Sequence, residues 1–527
     1  MKRAALALAA LAAACAAVTC VRAPKPPVRD ALYRHLGGDP RTLDPTTTSE
    51  ELGMRVEELI FRPLVGLDKN RRFVRSLATS WAVSSDGLVY DFRLDPKARW
   101  EDGSPVTSAD VAYTIERVRD PRVPAVGWRW GFEDVAAVET PDSSTVIVRF
   151  QKPYAERLLA FTIPIVSAAA YAQLSQADRH PAGSGPYRLA SWIANQGIEL
   201  ERRADADAAA YPFRRIVFRV IPDSSVRFRA GTRGELDEFV VTRDQVAAAQ
   251  RSTDFVAHDR LFKVPQFLVV LVVWNCRHPF LADARVRRAL ALSWPREEAA
   301  RRLYPPEGAK LISGPYPPGA PENAADVAPV RSDPAAAARL LDEVGVKMGP
   351  DGFRRRGGRR FTFELLSTSA YPIYRSLEEI LREACAKVGI ELVVRSLDWA
   401  AYTQRLAAGE FDAAIMGNIF LPPNLDPYSS YHSSQAPPNG SNYGFYRNAQ
   451  ADRAMEAARR EMDAGRRLEL YRQIHRLLAA DPPADFLWDA DQYWGVSKSL
   501  AGVEVSPLGL FHFLPGPLGW KPFFPSK

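Results

Sequence analysis

The chain has 527 residues, of which 46% are hydrophobic and 25% are charged, and its formal net charge is +7. A chain of this length exceeds what one hydrophobic core can organise, so we expect two or three domains in a globular protein. The modest positive charge is compatible with a weak preference for acidic surfaces, but no basic run carries interleaved aromatic residues, which argues against a nucleic-acid partner.

The first 29 residues have the pattern of an export signal followed by a tether. Two basic residues precede the apolar run 4–14, which is too short to span a bilayer. Cys15 ends the segment "LAAAC" and resembles the lipidated cysteine of a bacterial lipobox; Cys20 is the competing position, and an ordinary cleaved signal is the competing interpretation. Residues 21–29 are basic and proline-rich, which suits an extended tether. Each alternative predicts a periplasmic or cell-surface protein, and a lipid on Cys15 would anchor it to the membrane.

Strand and helix patterns alternate in the first half of the chain. Residues 88–94 and 144–150 alternate between apolar and polar side chains, which predicts two half-buried strands. Between them, Thr107 and Asp110 have the spacing of a helix N-cap, and apolar residues then recur at helical intervals. The apolar run 267–274 has the length of a buried strand, and no apolar stretch after residue 30 approaches a membrane span.

The second half repeats a unit in which a helix leads directly into a strand. Asp333 and Pro334 predict the start of a helix that ends at Gly345. A second helix, predicted from its apolar stripe, ends at Gly389, and the strand pattern 390–394 follows directly. A final helical stripe over 470–478 ends before a proline. Such units build a sheet covered by helices, so we predict an α/β fold.

Motifs for catalysis and for metal binding are absent from the sequence. It has no His-Glu-x-x-His pair, no Gly-x-Ser-x-Gly elbow and no phosphate-binding glycine loop, and its seven histidines stand singly. We therefore expect no enzyme, no metal site and no cofactor. Asp489 and Asp491 point to one side of a strand and could bind a cation, but an exposed strand face is the preferred interpretation. Cys276 and Cys385 are compatible with a disulfide or with two isolated thiols.

Residues 77–118, "LATSWAVSSDGLVYDFRLDPKARWEDGSPVTSADVAYTIERV", resemble the defining segment of the bacterial extracellular solute-binding proteins of family 5, the oligopeptide, dipeptide and nickel group. Shorter segments agree in the same order, and they are "TLDP" at 42–45, "GSGPYRLASW" at 183–192, "PFLADARVRRALAL" at 279–292, "GEFDAAI" at 409–415 and "SNYGFYRNAQADRAME" at 441–456. The resemblance covers nearly the whole chain after the tether.

The resemblance implies a type II periplasmic-binding-protein fold, an α/β fold with two hinged lobes and an extra domain. After the signal and tether of residues 1–29, the implied division is lobe I from 30–60, 180–265 and 497–527, the extra domain from 61–179, and lobe II from 266–496. The segments 267–274 and 485–496 are the candidates for the two strands that cross between the lobes.

The resemblance also implies a binding function without catalysis. Proteins of this group capture a small solute by lobe closure and deliver it to an ABC permease and its ATPase in the inner membrane. We therefore expect a monomeric substrate-binding protein for a short peptide, in contact with the membrane only through a possible N-terminal lipid. The alternative is a non-peptide solute, such as a sugar, an opine-like compound or a metal chelate, bound for uptake or sensing. A secreted hydrolase is a third hypothesis, which the missing catalytic motifs weaken.

One loop departs from the pattern of the peptide-binding members. In those proteins a carboxylate a few residues after the "GEFDAAI"-like strand pairs with the peptide's α-ammonium group. Counted forward from Gly417, the corresponding position in this chain is Leu421. Counted back from the Asp426 and Pro427 pair, it is Pro423, and neither side chain can pair with an ammonium group. Either Asp426 takes over the role, or the ligand has no free amino terminus there.

The resemblance also suggests further ligand-binding residues, chosen by where they stand relative to the family's segments. The aromatic candidates also have core packing as a competing interpretation, because burial alone explains many aromatic side chains. The candidates besides Asp426 are Trp399, Asn418, Phe420, Tyr443, Thr48 and Ser49.

Overall fold

The computed structural model describes residues 30–48, 50–173, 179–304, 309–317, 319–419, 425–438 and 440–523. The strands of this part of the chain are β1 Ala31–Leu36, β2 Val65–Leu67, β3 Phe73–Arg75, β4 Ala78–Val83, β5 Val89–Leu94, β6 Val135–Asp142, β7 Thr145–Phe150, β8 Tyr187–Ile193, β9 Gly197–Arg202, β10 Arg215–Val220, β11 Glu238–Val241, β12 Asp259–Trp274, β13 Lys310–Leu311, β14 Lys347–Met348, β15 Arg354–Arg356, β16 Arg359–Arg360, β17 Thr362–Thr368, β18 Glu391–Leu397, β19 Ala413–Ile419, β20 Ala484–Ser497, β21 Leu500–Ala501 and β22 Lys521–Pro522.

The helices of the same part of the chain are α1 Glu51–Ile60, α2 Ser108–Arg119, α3 Val126–Arg129, α4 Ala168–Gln173, α5 Ser224–Thr232, α6 Arg243–Arg251, α7 Thr253–His258, α8 Ala284–Ser293, α9 Arg296–Leu303, α10 Pro334–Glu343, α11 Pro372–Lys387, α12 Trp399–Ala408, α13 Tyr428–Tyr431, α14 Ala449–Arg460 and α15 Ala464–Ala480. Short 3-10 helices lie at Arg157–Thr162, Ser433–Gln435 and Gly516–Gly519.

One mixed sheet runs through most of the molecule. Its strand order is β18-β17-β19-β12-β20-β11-β1-β10-β9-β8, and β13 pairs with β20 outside this order. The long strands β12 and β20 lie antiparallel at its centre, and their register shifts between Val264 and Leu268 of β12. This shift divides the sheet into half-sheet I, on the β11 side with β1 and β8–β10, and half-sheet II, on the β19 side with β13, β17 and β18. The two segments predicted to cross between the lobes lie in β12 and β20.

In both half-sheets, the carboxyl ends of the parallel strands lie toward the middle of the crossing strands β12 and β20. In half-sheet I, β1 pairs in parallel with β10 and β11, and in half-sheet II, β17 pairs in parallel with β18 and β19. The end of β11, Val241, lies opposite Tyr493 of β20, and the end of β19, Ile419, lies opposite Leu268 of β12. Because ligands of open α/β sheets bind at the carboxyl ends of strands, this region between the half-sheets is where a ligand is expected.

Separate hydrophobic cores accompany the parts of the sheet. A core formed within residues 64–165 surrounds the four-stranded sheet β4-β5-β7-β6. Two further cores pack on half-sheet II and draw on residues 269–490. A fourth core joins the N-terminal segment to residues 166–218 and to the C-terminal tail. The large mixed sheet with helices confirms the predicted α/β class.

Local predictions from the sequence are also confirmed. Thr107 and Asp110 form the capping box that starts α2. Gly345 and Gly389 adopt positive φ angles of 76° and 77° just after α10 and α11, a conformation that glycine adopts without the steric cost of a Cβ. Cys276 and Cys385 are free thiols, so the interpretation as two isolated thiols is correct.

Candidate functional site

An exposed aromatic pair lies at the carboxyl ends of β17 and β18. Trp399 begins α12, whose first turn is capped by Asp398 through a hydrogen bond from the Ala401 backbone N–H at 3.0 Å. The rings of Trp399 and Tyr371 lie 6.1 Å apart and nearly perpendicular. The two residues are 47% and 49% exposed, which core packing does not explain. They therefore form a surface on which an apolar or aromatic part of a ligand could pack.

Of three further sequence candidates, Asn418 lies near the end of β19, Phe420 follows that strand in the sequence, and Tyr443 comes just before Gly444, whose carbonyl accepts a hydrogen bond from the Cys276 backbone N–H. Asn418 is the penultimate residue of β19 and lies opposite Val269 of β12, but its side chain lies outside the described part of the chain, as does the whole of Phe420. Tyr443 is partly buried and packs against a hydrophobic core that β12, β19 and the helices α14 and α15 share. Core packing thus explains the position of Tyr443, and the roles of all three in ligand binding stay predictions.

The segment after "TLDP" is tied down inside the protein. Thr48 is 2% exposed, and its hydroxyl bonds to the Asp44 carbonyl at 2.9 Å and to the Glu57 carboxylate. Burial raises the pKa of Glu57 to about 8, which favours a protonated carboxyl that shares this hydrogen bond. The hydroxyl of Thr48 is therefore already engaged, and the neighbouring Ser49 lies outside the described residues.

Asp426, the candidate partner for a ligand's ammonium group, already has a cation beside it. Its carboxylate lies 3.1 Å from Nε of Arg459, and the side chains are 6% and 29% exposed. The Tyr154 hydroxyl lies within hydrogen-bonding distance at 3.2 Å, and the Tyr428 backbone N–H donates at 3.1 Å. Burial raises the pKa of Asp426, and the charge of Arg459 opposes that rise. The protein itself thus supplies the partners of this carboxylate.

The contacts of Asp426 belong to a wider junction that we call the domain latch. It joins Tyr154 and Glu156, just before the Arg157–Thr162 3-10 helix, to Asp426, Arg459 and Arg467. Arg467 at the start of α15 lies 3.0 Å from the Glu156 carboxylate, and the Ala155 backbone N–H donates to the Arg459 carbonyl at 2.8 Å. The latch connects the segment that carries the four-stranded sheet to the helices that cover half-sheet II. It therefore holds the two parts in the arrangement seen here.

A second group of charges lies where the half-sheets meet, and we call it the hinge charge cluster: Arg243, Lys263, Lys310, Asp489 and Asp491. Asp489 and Asp491 are 4% and 8% exposed, so the interpretation as an exposed strand face is wrong. Nζ of Lys263 lies 3.3 Å and Nζ of Lys310 lies 3.6 Å from Oδ2 of Asp491. Arg243 donates to the Asp491 carbonyl.

The hinge charge cluster combines residues from both half-sheets. Arg243 begins α6 after the end of β11, Lys263 lies in the part of β12 that belongs to half-sheet I, and Lys310 begins β13 of half-sheet II. The Arg243 guanidinium also stacks on the Tyr304 ring, 4.5 Å from its centroid. Sequence reasoning missed these three cations, because 179 or more residues separate each of them from Asp489 and no local pattern connects them.

Metal coordination is not supported by the described residues, among which no three His, Cys, Asp or Glu side chains group closely enough to hold an ion. Similarly, no helix of the described ranges is both long and apolar enough to cross a membrane. The arrangement between the half-sheets offers instead an aromatic pair, a charged cluster and two crossing strands, which suit reversible binding of a small polar molecule.

Comparison with known proteins agrees with this geometry. The family described as bacterial extracellular solute-binding proteins, family 5 Middle, matches residues 72–441. The chain is similar to the oligopeptide-binding protein AppA of Bacillus subtilis, with 24% identity over 488 residues that cover 89% of this chain and 88% of AppA.

Solved structures share the fold over almost the whole chain. NikZ from Campylobacter jejuni, in complex with Ni(L-His), has a TM-score of 0.79 and 24% identity and covers 93% of this chain and 99% of its own. AgaA from A. tumefaciens R10, in complex with agropinic acid, has a TM-score of 0.77 and 23% identity and covers 94% of this chain and 99% of its own.

These similarities define a binding protein of the periplasmic-binding-protein class, and the predicted fold class is confirmed. The chain belongs to family 5 of the bacterial extracellular solute-binding proteins, as the sequence resemblance predicted. It is the solute-binding component of an ABC importer and not an enzyme. Membership of this extracellular family indicates a periplasmic or cell-surface location.

Proposed function

We propose that the protein captures a short peptide between its lobes and delivers it to its ABC permease. The observation that carries this proposal is the convergence of both sets of parallel strands on the crossing strands, with the exposed Trp399 and Tyr371 at one end and the hinge charge cluster at the other. Such a cleft offers apolar contact for side chains and charged groups for peptide termini. The similarity to an oligopeptide-binding protein supports the same ligand class.

A non-peptide solute is the second candidate, and a specific observation favours it. No Asp or Glu occurs between Gly417 and Leu425, and the first acid after this segment, Asp426, pairs with Arg459. A free ammonium group at this loop would therefore compete with a built-in guanidinium for the same carboxylate. The complexes of NikZ with Ni(L-His) and of AgaA with agropinic acid show that this fold accommodates other solutes.

Native mass spectrometry of the purified protein distinguishes the two candidates. We expect a 1:1 adduct of a few hundred daltons that fragments into amino acids on release. A Trp399→Ala variant should lose occupancy, whereas Val393→Ala, at a residue that is 45% exposed on β18, is the matched control and should keep it. An adduct that contains no amino acids would contradict peptide capture and support the second candidate.

The N-terminal anchor and the domain boundaries belong to the same proposal. We place lobe I at 30–60, 180–265 and 497–527, the extra domain at 61–179, and lobe II at 266–496. A lipid on Cys15, with the tether of residues 21–29, would keep the protein near its permease; Cys15 and Cys20 both lie outside the described residues. Cys15→Ala should release the protein into the soluble fraction, and continued membrane retention would contradict this assignment.

A further inference from the structure

Asp489 has an unusual position in the hinge charge cluster. It lies in β20 between Val269 of β12 and Lys310 of β13, at the point where the chain passes from one lobe to the other. It is 4% exposed, and its Oδ1 atom is buried without a hydrogen-bond partner among the described residues. A buried carboxylate oxygen with no donor carries a desolvation cost that a bound donor would remove.

The cations nearby are engaged with other groups. Lys263 and Lys310 both approach Oδ2 of Asp491, and Arg243 donates to the Asp491 carbonyl while it stacks on Tyr304. Asp491 therefore has two lysines and an arginine beside it, and Lys310 and Arg243 also act on the charge of Asp489. The Oδ1 atom of Asp489 is left as an acceptor that no donor among the described residues reaches.

One edge of β20 is left unpaired by the described strands next to Asp489. Along one edge of β20, β11 pairs with residues 493–496 and β13 pairs with residues 488–489. Residues 490–492 between them pair with no described strand on that edge, and the gap lies at the carboxyl end of β11. Asp489 and Asp491 share one face of β20, because side chains alternate along a strand. This face borders the gap.

We propose that Asp489 binds the protonated amine of the ligand. The captured solute then belongs to the class of molecules that carry an amine. The inference rests on the proposed function, and it names the group that the cleft recognises. An ammonium group carries several N–H donors and one positive charge, which would satisfy Oδ1 and neutralise the buried carboxylate.

The titration of Asp489 agrees with this role. Burial and the neighbouring charge of Asp491 raise the pKa of Asp489 to about 6, while Lys310, a hydrogen bond from the Ala490 backbone N–H and Arg243 lower it. Tyr304 and Tyr493 contribute phenol groups beside Arg243, and Lys263 faces Asp491. Asp489 is therefore ionised at pH 7.5 and largely neutral at pH 5, so it would attract an amine at the first pH and much less at the second.

The test compares a free amine with a blocked amine. Trialanine and N-acetyl-trialanine are titrated into the ligand-stripped protein at pH 7.5. In a second experiment, the thermal unfolding temperature of the protein is measured with n-butylammonium chloride and with n-butanol. We expect roughly a 10- to 100-fold preference for trialanine over its acetylated form, as for other hydrogen bonds to charged groups. Asp489→Asn should remove the preference, whereas Asp326→Asn, a control at an exposed carboxylate in lobe II, should keep it.

The outcomes separate this inference from peptide capture itself. If both peptides bind wild type and Asp489→Asn with equal affinity, peptide capture stands and the Asp489 assignment is overturned. If neither peptide binds but n-butylammonium stabilises wild type and not Asp489→Asn, the assignment stands and peptide capture fails. If no probe has an effect, both fail. Should the variant not fold, the wild-type preference decides: its loss at pH 5 supports the assignment, and its persistence overturns it.

Discussion

Two aspartates near the cleft show how environment decides the role of one residue type. Asp426 has Arg459, the Tyr154 hydroxyl and a backbone N–H within hydrogen-bonding distance, so its charge is matched inside the protein. Asp489 is similarly buried, but its Oδ1 atom has no hydrogen-bond donor within the described part of the chain. The first arrangement stabilises the domain latch, and the second leaves a desolvation cost that the protein does not offset with a donor from its described residues.

Arg459→Met should strongly destabilise the protein, because it leaves the buried Asp426 carboxylate without its cation. Removal of one partner of a buried ion pair costs about 3–5 kcal/mol. Because Arg459 is 29% exposed, the lower end of that range is expected, measured as the free energy of unfolding in urea. Arg460→Met is the control: its partner lies one turn away on α14 and it is 67% exposed, so its effect should be below about 0.5 kcal/mol. Equal losses would contradict the role of Arg459.

Asp489→Asn should stabilise the ligand-free protein at neutral pH. The folded-state pKa of about 6 lies above the value of about 3.9 for an exposed aspartate, so the folded state binds the proton more tightly. Stability is therefore lost as the pH rises from about 4 to 6 and stays reduced above 6. Removal of this charge should restore about 2–3 kcal/mol at pH 7.5 and almost nothing at pH 4, which thermal unfolding at the two pH values would measure. A loss of stability at pH 7.5 would contradict this view of Asp489.

At the scale of elements, local patterns predicted the helices and strands well. The alternation over 88–94 became β5, and the capped stripe after Asp333 became α10, because burial of one face and a cap decide such elements locally. The strand predicted over 267–274 is longer, since β12 starts at Asp259. Its first half is rich in charged residues and is held by pairing with β20, a long-range contact that no local pattern reports.

The domain latch also belongs to this scale, and it predicts a shift in the resting conformation. Arg467→Met removes the ion pair with Glu156, so the ligand-free protein should populate a more open arrangement. Small-angle X-ray scattering should show a larger radius of gyration than wild type, and saturating ligand should reduce the difference. Arg466→Met is the neighbouring control, because Arg466 is 71% exposed and pairs with Glu461 close by in sequence. An unchanged radius would contradict a closing role for the latch.

At the scale of the whole molecule, the resemblance predicted the fold class and the family, but the residues of the cleft needed the structure. The hinge charge cluster draws Arg243, Lys263 and Lys310 from three separate elements onto one strand. Sequence spacing does not reveal such proximity, because the sheet pairs segments hundreds of residues apart. Asp426 illustrates the same limit. Its partner Arg459 lies on a separate helix, and the sequence around Asp426 does not predict this ion pair.

Capture of a short peptide between the lobes, as we propose, can be measured by calorimetric titration of ligand-stripped protein with defined pools of di- to pentapeptides. We expect saturable heat at one peptide per protein and a fall in the radius of gyration at the same stoichiometry. The absence of heat from every peptide pool, together with saturable binding of a sugar, an opine-like compound or a metal chelate, would contradict it.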